Sequence, residues 1–144
     1  MYLLKKYKLT DITFTTKDGS VTFHRILALV DIPKHHVKAG DFGGWIESER
    51  NLSQEGSCWV GDSACIHDNA WVYGNALVCG NAQIYGHAYV YDEARVFGFA
   101  VVCGDAWIYE HAQVYGFAFV DGASDIYGCA SIGCGKFHDY SCRL

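Results

Sequence analysis

The chain has 144 residues, of which 51% are hydrophobic, 15% aromatic and 19% charged. This composition excludes a disordered chain and fits a single folded domain. No run of 18 apolar residues is present, which excludes a membrane-spanning helix, and we expect no signal peptide because the N-terminus lacks an apolar core. Seven cysteines without an export signal predict reduced thiols and a cytoplasmic protein.

Charge is distributed unevenly along the chain. Residues 1–57 hold eight Lys/Arg and seven Asp/Glu, a net charge of +1, whereas residues 58–144 hold three and nine, a net charge of −6. The three cationic residues of the second part cannot neutralise a phosphate backbone, and we therefore expect no direct binding to nucleic acid. An acidic body favours a basic protein partner.

Residues 1–57 are predicted to form an N-terminal cap and lead-in. Ile12 and Phe14 alternate with threonines, residues 17–20 form a turn sequence, and residues 21–23 resume the alternation. This pattern predicts a β-hairpin. A cap of this kind would cover strand edges that an open end of the following repeat exposes.

A six-residue repeat dominates the rest of the sequence. Thirteen positions spaced by six residues, from Val60 to Ile132, hold only Val or Ile. Four residues after the first ten of them stand ten alanines, from Ala64 to Ala118, and that column continues with Ser124, Ala130 and Lys136. A period of six excludes an amphipathic helix, because it brings the apolar residues to different helix faces.

The repeat predicts a single-stranded parallel β-helix over residues 58–136. In the unit from Ala70 to Gly74, alternation directs Ala70 and Val72 inward and Trp71 and Tyr73 outward, and Gly74 allows a turn. The alternative is a chance apolar pattern in an ordinary β-sandwich. Residues 137–144 are expected to close the far end as a C-terminal cap or tail.

These units resemble the hexapeptide-repeat, left-handed β-helix proteins. More narrowly, residues 72–76 (Val-Tyr-Gly-Asn-Ala) and 84–88 (Ile-Tyr-Gly-His-Ala), with the lead-in at residues 37–46 and 52–59, resemble the YdcK-like group of enterobacterial and prophage repeat proteins. The resemblance implies left-handed, triangular coils of three six-residue faces. One departure is that Tyr, Phe or Cys usually follows Val/Ile, with glycine one place later.

If a coil takes eighteen residues, one face presents outward aromatic columns with an acidic edge. Trp and Tyr carry much of the energy at protein interfaces, so this face is the predicted partner-binding surface. Its members are Trp71, Tyr73, Tyr89, Tyr91, Asp92, Glu93, Trp107, Tyr109, Glu110 and Tyr127. The alternative is that the rings only reinforce the stack.

A second outward cluster is predicted on the next face. It consists of Phe97, Phe99, Tyr115 and Phe117. One surface would then serve a protein partner and the other self-association, so we expect a homo-oligomer.

Catalysis is not expected from the repeat. Acyltransferases that this fold resembles extrude a loop from the coil and use a histidine base, whereas the register here runs from Val60 to Ile132 without an insertion. His67, His87 and His111 fall on different columns, which does not favour converging metal ligands. The sequence therefore predicts no catalytic residue, no metal and no cofactor, while His35, His36 and His138 lie outside the register.

The resulting hypothesis is a rigid, non-catalytic protein-binding module, expected as a phage or prophage accessory protein. One version is a counter-defence inhibitor that covers a basic, nucleic-acid-binding surface. Two alternatives stay open: a trimeric acyltransferase-type hexapeptide-repeat enzyme, and a self-assembling structural scaffold.

Overall fold

The computed structural model describes residues 4–143, with side chains through residue 141, so residues 1–3 and 144 of the predicted end segments lie outside it. The chain is all-β, and its short parallel strands stack into a β-solenoid of about five turns. Two 3-10 helices span Pro33–His35 and Glu49–Asn51. Among the described residues, no helix is long and apolar enough to cross a membrane.

The strands follow one another in three groups along the chain. The first group is β1 (Tyr7–Thr15), β2 (Thr22–Ala28) and β3 (Phe42–Ile46). The repeat strands are β4 (Trp59–Val60), β5 (Cys65–Ile66), β6 (Trp71–Val72), β7 (Leu77–Val78), β8 (Gln83–Ile84), β9 (Tyr89–Val90), β10 (Arg95–Val96), β11 (Val101–Val102), β12 (Trp107–Ile108), β13 (Gln113–Val114), β14 (Phe119–Asp121), β15 (Asp125–Tyr127) and β16 (Ser131–Ile132). The last two are β17 (Lys136–His138) and β18 (Ser141–Arg143).

The pairing register confirms the three-sided parallel β-helix. From β4 to β16, paired residues lie eighteen apart, as in Trp71 with Tyr89 and Tyr89 with Trp107. Three sheets result, in the orders β1-β2-β3-β5-β8-β11-β14-β17, β16-β13-β10-β7-β4 and β18-β15-β12-β9-β6. The handedness of the coil stays a prediction from the resemblance.

The repeated Val/Ile and Ala positions fill the bore. Ile66, Ile84 and Val102 follow one another in one column, and all three are fully buried. Ala82 and Ala100 beside them are equally buried. Each such branched side chain contributes about 1.5–3 kcal/mol when buried, so the column is a main source of stability.

The turns of the coil have left-handed backbone at the second residue after each Val/Ile from Val60 to Ile126. Glycine occupies most of these positions, as at Gly80 (φ 64°). The four exceptions up to Gly128 are acidic, and each carboxylate accepts a hydrogen bond from the backbone N–H of the residue eighteen positions later. These hydrogen bonds run from the N–H of Gly80 to Asp62 (3.0 Å), of Gly86 to Asp68 (3.2 Å), of Glu110 to Asp92 (3.1 Å) and of Gly128 to Glu110 (2.8 Å).

This geometry gives a prediction at Asp92, where φ is 55°. We expect Asp92→Ala to lower the free energy of unfolding by about 1–2 kcal/mol, because alanine keeps the unfavourable φ and loses the hydrogen bond. Asp92→Gly also loses the bond but relieves φ, so it should stay within about 1 kcal/mol of the parent chain. Urea unfolding of the two variants checks this, and equal losses would contradict the cost assigned to alanine at the left-handed φ.

The coil continues past Ile132 with a changed register. Phe119 pairs with Lys136 and Val120 with Phe137, a separation of seventeen residues. Lys136 is therefore exposed instead of continuing the alanine column, and Phe137 packs against the core. The change begins at Gly133, where any Cβ would lie 2.7 Å from the Tyr115 ring.

The predicted N-terminal hairpin is confirmed. Strands β1 and β2 pair antiparallel, β2 pairs antiparallel with β3, and β3 joins β5 in parallel, so the hairpin extends one sheet of the solenoid. Lys6 is buried and anchors β1: its Nζ donates to the carbonyl oxygen of Cys58 at 2.7 Å and lies 3.1 Å from the Cys58 Sγ.

Candidate functional site

The segment between β2 and β3 folds over the first coils and encloses a groove of about 570 Å³, here called the cap groove. Pro33 begins the 3-10 helix Pro33–His35, and His36 ends it in the left-handed conformation, φ 58°. A bridge between Ile32 and Val37 closes the turn, with the Ile32 N–H donating to the Val37 carbonyl at 2.8 Å. The groove lies between this segment and the β4–β7 face. Its lining residues are Arg25, His35, His36, Val37, Asp41, Phe42, Trp59, Gly61, Asp62, Leu77 and Cys79.

His35 is fixed in one orientation by the repeat. Its Nε2 lies 3.1 Å from the backbone carbonyl oxygen of Asn75. A carbonyl oxygen only accepts, so Nε2 carries the proton and Nδ1 holds the free lone pair. Nδ1 is buried and has no hydrogen-bond partner among the described residues.

Burial lowers the pKa of His35, and the neighbouring Lys34 and Arg95 lower it further, although the bond to Asn75 acts in the opposite direction. The imidazole is therefore neutral at pH 7. A neutral histidine with one fixed N–H and one free lone pair can act as a general base.

The position of His35 depends on contacts to the outward columns. Lys34 forms an ion pair with Glu93, Nζ to Oε2 at 2.6 Å, and the Asn75 side-chain amide donates to the other Glu93 oxygen at 3.0 Å. These contacts lower the pKa of Glu93, chiefly through Lys34. Glu93 was predicted at the edge of the partner surface, and here it anchors the cap segment to the repeat.

The groove offers His35 as a base, but its cysteine, Cys79, is not activated as a nucleophile. Burial raises the pKa of Cys79, and the nearby Asp62 raises it further, so its thiol stays protonated at pH 7. The Arg25 guanidinium stacks 4.5 Å above the Phe42 ring. The groove is therefore suited to binding a small molecule and removing a proton from it, and not to forming a covalent enzyme intermediate.

The pKa of His35 gives a pH prediction for folding. Because that pKa is lowered in the folded state, the unfolded chain binds more protons below pH 6.5, so the free energy of unfolding should fall as the pH drops below that value. His35→Gln should reduce this loss. His138 supplies the control with the opposite sign, since Asp121 and Asp139 raise its pKa and its stabilisation is lost as pH rises. Urea midpoints from pH 5 to 8 measure both, and unchanged pH dependence in His35→Gln would contradict the assignment.

The predicted aromatic face consists of one stacked ladder of tyrosine rings and a neighbouring column in which Trp71 lies edge-on to Tyr89. Successive tyrosines at positions 73, 91, 109 and 127 stack within 6° of parallel, with ring centroids 4.7, 5.1 and 5.3 Å apart. In the neighbouring column Tyr89 stacks on Trp107 at 6.0 Å. Only Trp71 (39%) and Trp107 (46%) are exposed, whereas the tyrosines are half-buried by their neighbours.

The second predicted cluster forms two stacked pairs. Phe97 stacks on Tyr115 at 5.2 Å and Phe99 on Phe117 at 5.3 Å. Phe99 and Phe117 are 55% and 76% exposed, so this pair offers bare apolar surface.

The acidic edge of the first face is already engaged. Asp92 and Glu110, predicted as partner contacts, accept the turn hydrogen bonds described above.

Docking of a protein partner or a second copy on either face stays a prediction. If it is right, Tyr91→Ala and Trp107→Ala should each lower the oligomeric mass in light scattering or abolish partner capture. If both variants kept the oligomeric mass and the partner capture of the parent chain, the prediction that the first aromatic face is a docking surface would be contradicted.

Glu47, His67 and Asp68 offer ligand atoms within 4.8 Å of one another. Their contacts are internal: Glu47 accepts from Arg50 at 3.1 Å and from the Asp68 N–H at 2.8 Å, and the His67 Nδ1 lies 3.0 Å from an Asp68 oxygen. The hydrogen bonds account for the arrangement without a metal.

Sequence reasoning missed His35 because it lies outside the repeat. The available signal was local: Pro33, the single proline of the chain, precedes a pair of histidines between two strands of the cap.

No protein-family profile matches the chain. Over 69 residues the chain is 38% identical to a protein of Escherichia coli (strain K12) named "Uncharacterized acetyltransferase YdcK". The alignment covers 44% of this chain and 21% of that protein, so the chain spans about a fifth of the length of the relative it matches. This similarity, together with the solenoid, supports the hexapeptide-repeat interpretation. It contradicts the expectation that the chain is not an enzyme, because the relative is named an acetyltransferase, and the non-catalytic assignment is therefore wrong.

Proposed function

We propose that this chain is an acyltransferase-type hexapeptide-repeat protein in which the cap groove binds the acyl acceptor and His35 is the general base. The observation that carries this proposal is the neutral, oriented His35, whose side chain lines the cap groove and whose Nδ1 is buried without a hydrogen-bond partner among the described residues. The name of the matched relative supports acetyl as the group transferred. Membership in the YdcK-like group and trimer formation are parts of the same proposal.

The reaction follows from the geometry of His35. An acceptor hydroxyl or amine in the groove gives its proton to Nδ1 as its oxygen or nitrogen attacks the carbonyl carbon of an acyl thioester. A new C–O or C–N bond forms, the C–S bond breaks, and the proton passes to the departing thiolate. The Nε2–H bond to Asn75 holds the ring while its charge changes, so the base keeps one orientation through the transfer.

The lining of the groove favours an acceptor of mixed polarity. Trp59, Phe42 and Leu77 supply apolar contact, while Asp41 and Asp62 supply carboxylates for hydroxyl or amino groups. The cap segment performs the task that an inserted loop performs in the acyltransferases that the repeat resembles. The missing insertion between Val60 and Ile132 therefore no longer argues against transfer.

The test is turnover of acetyl-CoA by the full chain. Thiol release is followed with a panel of amine-bearing and hydroxyl-bearing acceptors, and the acetylated product is identified by mass. We expect acceptor-dependent release of one thiol per acetylated product. Absence of acceptor-dependent release across the panel and with other short acyl thioesters would overturn the proposal.

A further inference from the structure

A second concave site shares no lining residue with the cap groove. Where the β8–β11–β14 sheet meets the β9–β12–β15 sheet, the corner of the coil carries a cleft of about 580 Å³, here called the corner cleft. Tyr89 and Trp107 form one wall, Asp105 and Asp125 supply carboxylates, and His87 stands at the same corner. None of the described residues that line it is Lys or Arg.

Asp125 interrupts the aromatic column at this point. Positions 71, 89 and 107 hold Trp, Tyr and Trp, and the next strand places Asp125 directly beside Trp107. Burial raises the pKa of the Tyr109 hydroxyl, and the neighbouring Asp125 carboxylate raises it further. The Asp125 Oδ1 is nevertheless enclosed and has no partner among the residues that the structure describes. An enclosed carboxylate oxygen without a donor is costly, so the Asp125 side chain gains from a ligand that brings a hydrogen-bond donor into the cleft.

We infer that the corner cleft binds a ligand that carries a primary ammonium group, with Asp125 as its hydrogen-bonding partner and Tyr89 and Trp107 as its aromatic wall. An ammonium supplies N–H donors for the free oxygen and a positive charge for both carboxylates. The faces of Trp107 and Tyr89 attract the same charge. The net charge of −6 over residues 58–144 raises the local concentration of such a cation, whereas a phosphate-bearing ligand would be repelled.

The experiment titrates spermidine into the full chain by calorimetry, with 1,8-octanediol as a neutral ligand of comparable length. We expect saturable spermidine binding and none for the diol. Asp125→Asn keeps the shape of the side chain and removes its charge, so it should weaken binding about 10- to 100-fold. Trp107→Leu removes the larger ring and should weaken binding about fivefold. Asp11→Asn removes one charge from the exposed part of β1 and should leave the affinity within about twofold.

Equal weakening by Asp125→Asn and Asp11→Asn would overturn the inference, because binding would then follow net charge and not this site. Binding of the diol as tightly as spermidine would overturn it as well. Thermal unfolding of each variant confirms that it is folded, and Trp107→Leu keeps the test available if Asp125→Asn does not fold. The site is separate from the cap groove, so its failure leaves the acyl-transfer proposal untouched.

Discussion

Replacing His35 by glutamine should lower kcat for acyl transfer about 10²–10⁴-fold. The glutamine amide can still donate to the Asn75 carbonyl and hold the cap segment in place, but it provides no group that accepts a proton at pH 7. The change therefore separates the chemical role of the side chain from its structural role. Initial rates of thiol release at saturating acetyl-CoA and acceptor measure it.

His36→Asn is the matched control for that substitution. His36 lines the same groove but is exposed, and asparagine tolerates its left-handed φ of 58°. We expect kcat to stay within about threefold of the parent value, because the side chain takes no proton in the proposed step. A loss in His36→Asn as large as in His35→Gln, or full activity in His35→Gln, would contradict the assignment of the base.

The pH dependence of kcat/KM is a second test, because it would not change if His35 had only a structural role. Because burial lowers the pKa of His35, kcat/KM should be flat above pH 6.5 and should fall with unit slope only below the lowered pKa. Any residual activity of His35→Gln should lack this acidic limb. If kcat/KM of His35→Gln still fell at low pH as in the parent chain, the titrating group would not be His35.

The repeat could be predicted from the sequence because one geometric requirement recurs at every sixth residue. Each Val/Ile, such as Val72, must enter the same narrow bore, so the register and the outward columns follow from the spacing. The register change after Ile132 did not follow from that spacing. Backbone hydrogen bonding leaves the repeat at Gly133, whose carbonyl accepts from the Phe117 N–H, and the Tyr115 ring lies close to Gly133. The spacing of residues in the sequence does not reveal contacts of this kind between coils.

The candidate site was harder to predict, because it depends on where the short, non-repetitive segment between β2 and β3 packs against the repeat. The position of His35 depends on Asn75, forty residues later, and on the Lys34–Glu93 ion pair. These contacts join the cap to the repeat, and no local pattern encodes them. The aromatic columns were predicted correctly as columns, yet the sequence could not show that tyrosine rings stack on one another and leave mainly Trp71 and Trp107 exposed.

Replacing Ile84 by alanine should lower the free energy of unfolding by about 2–5 kcal/mol. Ile84 is fully buried in the bore between Ile66 and Val102. The coils above and below are held at a fixed spacing by parallel pairing, so the bore cannot collapse into the space that the side chain leaves. Equilibrium urea unfolding measures the loss, and Ile84→Val should cost only about 0.5–1.5 kcal/mol because it removes one methylene.

Gln83→Ala supplies the control from the same two-residue strand. Gln83 points outward and is exposed, so its truncation should change the free energy of unfolding by no more than about 0.5 kcal/mol. The contrast between adjacent residues tests the alternation that the whole solenoid requires. If Gln83→Ala cost as much as Ile84→Ala, the side chains of β8 would not be divided between bore and solvent, and the six-residue register would be wrong at that coil.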